Sequence, residues 1–117
     1  MRLHDILARF SDIIQTYDIV QYEVAGLHSR LKLQILLANG TELHVRDTVL
    51  DGQQRTYAFH WQAGAGHLIA RWDNAAHWPD IETYPHHKHV GEEGRVVASE
   101  ATTLAEVLAA IHAQMED

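Results

Sequence analysis

A chain of 117 residues is the size of one domain, and 46% apolar against 21% charged residues describes a globular fold with a modest core. Sixteen acidic against nine basic residues give a net charge of −7. That balance excludes a protein that coats nucleic acid through bulk positive charge, while leaving room for a local cationic groove. The absence of cysteine excludes disulfides, thiolate metal sites and cysteine nucleophiles.

Arg2, His4 and Asp5 open the chain with no hydrophobic export region, and no stretch approaches the roughly 18 apolar residues of a membrane helix. A cytoplasmic location without a membrane partner is therefore expected. Leu3, Ile6, Leu7, Phe10, Ile13 and Ile14 recur at helical spacing and predict a helix over residues 3–15. Residues 17–26 switch to strand character. HSRLKLQILLANG follows, with Leu31, Leu33, Ile35 and Leu37 alternating and Asn39-Gly40 as a hairpin turn. TELHVRDTVL alternates again and ends at a second turn, Asp51-Gly52. RTYAFHWQA and HLIARWDN read as two further strands joined near Gly64 and Gly66. WDNAAHWPD is an irregular loop leading to PHHKH, and residues 95–99 suit a short last strand. Thr103 with Glu106 is a capping box for a helix over 103–115, whose stripe is Leu104, Val107, Leu108, Ile111 and Met115.

Helix, antiparallel meander, helix is an α+β arrangement in one domain spanning 1–117. Both apolar stripes need a surface to bury, and one face of the sheet must supply it. The expectation is a strongly twisted antiparallel sheet of five or six strands, up to a half-closed barrel, with both helices on one face. A tight turn at Gly64-Ala65 would set Trp61 opposite Leu68, Phe59 opposite Ala70 and Tyr57 opposite Trp72. A bulged Asp51-Gly52-Gln53 turn brings Leu43 and Val45 into the core. The second face then holds His44, Arg46, His60, Arg71 and Asp73, and the loop carrying Asn74, His77 and the PHHKH run leaves from its end.

Ten histidines in such a chain are the anomaly, and three of them fall at 86, 87 and 89. Three readings compete. An extended PHHKH would project His87 and His89 from one side as a metal pair, with His60 or His77 as a third ligand and Asp73 beside them. Arg46, Arg71 and Lys88 would repel a dication, so no metal or other cofactor is expected. Alternatively, two histidines and a cation supply the base, the acid and the charge stabilisation that RNA cleavage needs, with the 2′-OH as nucleophile. No G-x-S-x-G, Walker or Rossmann pattern offers another enzyme class. On the structural reading, His4, His28, His67 and His112 are surface residues, Trp61 and Trp72 are core, and PHHKH is an anchored loop or a binding epitope. The candidate catalytic set is His60, Arg71, Asp73, His77, His86, His87, Lys88 and His89.

RTYAFHWQ, GHLIARWDNAAHWPDIETYPHHKHVG and TLAEVLAAI, in that order, resemble the TumE family of small bacterial toxins from toxin–antitoxin pairs. The shared pattern is Tyr57 to Trp61, Arg71 to His77 and Pro85 to His89, and the resemblance covers roughly residues 29–112. Trp78 departs from it, standing where a second histidine is common. The resemblance implies a toxin silenced by a helix-turn-helix, TumA-like antitoxin. Joined to the His/Arg/Lys constellation, it suggests a metal-independent endoribonuclease, with RNA as a second partner. The alternatives are a non-enzymatic toxin that binds a host protein and a His-ligated metal-binding domain. The sequence leaves room for a homodimer.

Overall fold

A computed structural model describes residues 2–116. Its elements, in order, are α1 (Leu3–Arg9), β1 (Ile14–Ala25), β2 (His28–Leu37), β3 (Glu42–Leu50), β4 (Gln54–Gln62), β5 (Leu68–Asp73), β6 (His87–Val90), β7 (Glu92–Ala98) and α2 (Leu104–Met115). The strands form one open antiparallel sheet of seven in the order β1-β2-β3-β4-β5-β6-β7, an unbroken meander with β1 and β7 as its edges. The α+β expectation holds, and the sheet does not close into a barrel.

One apolar row per strand faces the helices. Leu33, Ile35, Leu37, Leu43, Val45, Tyr57, Phe59, Trp61, Ala70 and Trp72 are buried with Leu3, Leu7 and Phe10 of the N-terminal segment and Leu104, Val107, Leu108 and Ile111 of α2 in a single cluster. Both helices therefore cover the same face. Thr103 caps α2 by accepting from the Glu106 amide, and the Glu106 carboxylate accepts from the Thr102 amide in return.

Three expectations need correcting. The first helix ends at Arg9 instead of running to residue 15. Ser11 and Asp12 favour turns over helix interiors, and the β-branched Ile13 and Ile14 lead into a strand. The apolar period survives because Phe10 and Ile13 stay buried through the turn, where Ala38 donates to the Ile13 carbonyl. The β4–β5 register is shifted by two residues, pairing Trp61 with Ala70 and Phe59 with Trp72. The connection is larger than a two-residue turn, closed by Ala63 N–H to His67 O and Gly66 N–H to Ala63 O, with Gly66 at φ 95°. A shift of two leaves every side chain on its expected face.

The third correction bears on function. The PHHKH run is a loop only as far as His86. His87–Val90 is an internal strand paired with both β5 and β7, and it raises the strand count to seven.

Candidate active site

Strand alternation decides which members of the histidine run can meet. Asp73 pairs with His87, Trp72 with Lys88 and Arg71 with His89. Because Trp72 faces the core, Asp73, Arg71, His87 and His89 share the helix-free face, and Lys88 points to the helix side. Its Nζ lies 4.8 Å from the Trp72 ring centre, and burial lowers its pKa from the usual lysine value. His86 is also turned away from the cluster. Its Nδ1 lies 2.8 Å from the Tyr57 hydroxyl and its ring stacks on that of Tyr57. Burial raises the Tyr57 pKa to about 12, so the phenol stays neutral. His86 and Lys88 thus lie apart from the cluster, His86 against Tyr57 and Lys88 over Trp72.

On the helix-free face, His87, His89 and Asp73 are buried together, at 2%, 6% and 4% exposure. His87 Nε2 lies 3.1 Å from His89 Nε2. The same two atoms lie 3.0 Å from Asp73 Oδ1 and 3.4 Å from Asp73 Oδ2. The other ring nitrogens are committed. His87 Nδ1 donates to the Pro85 carbonyl at 2.9 Å, and His89 Nδ1 donates to the Glu93 carbonyl at 2.6 Å. A carbonyl can only accept, so both Nδ1 atoms carry hydrogen. In the neutral rings both Nε2 atoms are then bare acceptors, facing each other and a carboxylate. Acceptors at these distances need a hydrogen or a metal ion among them.

Asp73 is itself held in place. Oδ1 accepts from the Ala75 amide at 3.0 Å and Oδ2 accepts from Arg71 Nε at 3.2 Å. Asn74 fixes the strand end behind it by accepting from the Tyr57 amide and donating to the Arg55 carbonyl, which replaces the missing next ladder pair. Above the cluster opens a cleft of about 360 Å³ lined by Arg71, Asp73, Ala75, His77, Trp78, His87, His89 and Glu93. Trp78 stands over both imidazoles, with ring centres 6.5 and 6.2 Å from those of His87 and His89.

Of the predicted residues, Arg71, Asp73, His77, His87 and His89 converge on this cleft. His60 lies next to it, directly across from Arg71 on the same face and with His44 on its other side. Burial foremost, then the Arg71 charge, lowers the His60 pKa below the ordinary histidine value. Sequence reasoning missed Glu93, whose carbonyl holds His89 and whose carboxylate reaches the cleft. It also treated Trp78 only as a departure from a pattern. An aromatic next to His77, beside a predicted histidine cluster, was the available signal for a ring lining the cleft.

The family model described as Toxin TumE matches residues 3–117. The chain belongs to the TumE toxin family. The match extends the resemblance seen over roughly residues 29–112 to include α1 and the β1–β2 hairpin. No curated protein and no solved structure matches the chain. TumE membership makes this chain the toxin of a toxin–antitoxin system, with an antitoxin as partner.

Proposed function

We propose that the toxin acts on RNA, and that Asp73, His87, His89, Arg71 and His77 carry the chemistry without a metal. The observation behind this reading is the pair of Nε2 atoms 3.1 Å apart, backed by a buried carboxylate at the foot of an open cleft. One proton held between the imidazoles provides a general acid. The exposed His77 at the rim provides the base. His77 removes the 2′-OH proton and the 2′-oxygen attacks phosphorus. The bond to the 5′-oxygen breaks, and the proton of the His87–His89 pair passes to that leaving oxygen. Arg71, with its side chain 37% exposed, offers a guanidinium for the charge that builds on the phosphate. The products are a 2′,3′-cyclic phosphate and a 5′-hydroxyl. His60, held neutral beside Arg71, lines the approach to the cleft.

The antitoxin is proposed to be a helix-turn-helix protein acting with the toxin in the cytoplasm, and the toxin is free to act as a monomer or a homodimer. A second, non-enzymatic reading is favoured by the exposed apolar side chains of the β1–β2 hairpin, among them Tyr22 at 55%, Val24 at 66% and Leu27 at 69%. Growth inhibition on induction separates the two. Arg71→Ala and His77→Ala should each abolish toxicity while antitoxin binding persists, and Val24→Ser should remain toxic. Full toxicity of an Arg71→Ala/His77→Ala double variant would defeat the catalytic reading and favour action by binding.

A further inference from the structure

The donor set at the foot of the cleft also fits another occupant. A first-row dication bound at about 2.05 Å separates its ligands by about 3.3 Å in a tetrahedron and about 2.9 Å at the right angles of an octahedron. Here the two Nε2 atoms are 3.1 Å apart, within that range, and each faces its own oxygen of the Asp73 carboxylate, His87 Nε2 at 3.0 Å from Oδ1 and His89 Nε2 at 3.4 Å from Oδ2. Each imidazole already donates its far N–H to a backbone carbonyl, the outer contact that metal-ligating histidines make and that presents Nε2 as a free lone pair. Asp73 is oriented in the same way, through the Ala75 amide and Arg71 Nε. Asp73, His87 and His89 are also, among the described residues, a group whose potential ligand atoms lie within 4.8 Å of one another. The cationic neighbourhood that argued against a metal is reduced, since Lys88 lies across the sheet over Trp72 and only Arg71 stays beside Asp73.

We propose that Asp73, His87 and His89 bind one divalent transition-metal ion, zinc foremost, through His87 Nε2, His89 Nε2 and the Asp73 carboxylate, with the remaining positions open to the cleft. Two imidazoles and one carboxylate suit zinc and its first-row neighbours far better than magnesium or calcium, which prefer all-oxygen sites. The proposal rests on the same cluster as the RNA reading but not on its chemistry. Metal and shared proton are alternative occupants of one space, so a bound ion removes the acid that RNA cleavage uses. Zinc is then an inhibitor of the toxin.

The test uses tag-free full-length protein, stripped with chelator and titrated with zinc chloride by calorimetry, with cobalt(II) absorption as a second readout. One ion per chain is expected. His87→Gln, His89→Gln and Asp73→Asn should each weaken binding more than tenfold. His112→Ala, which removes the surface group formed with Asp12 and Glu116, should leave the stoichiometric site intact. The His→Gln variants keep a polar side chain, and circular dichroism checks that they fold. Unchanged zinc binding in all three variants, or none below millimolar zinc in the native chain, overturns the proposal. An RNA assay run in parallel separates the two ideas. Cleavage in chelator that zinc stops supports both. Zinc binding without cleavage at any metal level sinks the RNA reading alone, and cleavage that zinc restores after chelation contradicts the inhibitory role.

Discussion

Asp73→Ala tests whether the cluster is a buried ionic unit. The carboxylate is 4% exposed, accepts from the Ala75 amide, and is the only acid within 3.4 Å of the two imidazole Nε2 atoms among the described residues. Removing it leaves the buried imidazole pair without its carboxylate partner, which costs about 3–5 kcal/mol where such a pair is ionic. The Arg71 bond adds little, about 1 kcal/mol at most, because that guanidinium is more than a third exposed. At roughly 4 °C per kcal/mol for a domain of this size, the melting temperature should fall by about 12–20 °C. Thermal and urea unfolding followed by circular dichroism measures this. The informative control is Asp73→Ala/His87→Leu/His89→Leu. Replacing a whole buried ionic cluster by apolar side chains is often neutral or stabilising, so the triple variant should recover about 2 kcal/mol of the loss. A single variant as stable as the native chain, or a triple variant weaker than the single, would refute the reasoning.

Lys88→Ala should leave growth inhibition intact, because its side chain lies over Trp72 on the core side; loss of toxicity with retained folding would return it to the site. Phe59→Ala removes a fully buried ring and should cost about 3–5 kcal/mol in urea unfolding. Thr103→Ala removes the hydroxyl that accepts from the Glu106 amide and should cost about 1 kcal/mol, read the same way. The Asp12–His112 pair at 2.6 Å ties the turn after α1 to α2. His112 is shifted up from 6.5 and Asp12 down from 3.8, each chiefly by their mutual hydrogen bond. Its stabilisation is therefore present between these two values. It fades as pH rises through the raised His112 pKa and as pH falls through the lowered Asp12 pKa. The difference in melting temperature between the native chain and Asp12→Asn should shrink at both extremes, and a difference independent of pH would contradict the pairing.

The face assignments were legible because strand period two is rigid. Phe59, Trp61 and Trp72 went to the core and Arg71 and Asp73 to the open face, even though the β4–β5 register was two residues off. The α2 boundaries were equally legible, since Thr103 and Glu106 mark the start by a local bond. α1 was overextended because Phe10 and Ile13 continue an apolar period that serves a helix and a tight turn alike. The PHHKH run was harder. His87-Lys88-His89 has no apolar residue to announce a strand, and its pairing with β5 and β7 is a long-range fact that local propensity does not carry. Once it is a strand, alternation alone separates His87 and His89 from Lys88.

The central claim is that this cluster cleaves RNA through the 2′-hydroxyl. Purified, antitoxin-free toxin is incubated in chelator with an RNA and with its counterpart carrying 2′-deoxy at the scissile position, and the new ends are mapped. The account predicts 2′,3′-cyclic phosphate and 5′-hydroxyl ends from the RNA, no cleavage of the deoxy-substituted strand, and no cleavage of either by His87→Ala. Equal cutting of the two strands, ends bearing 3′-hydroxyls, or no cutting at any pH by a protein that still stops growth would contradict it.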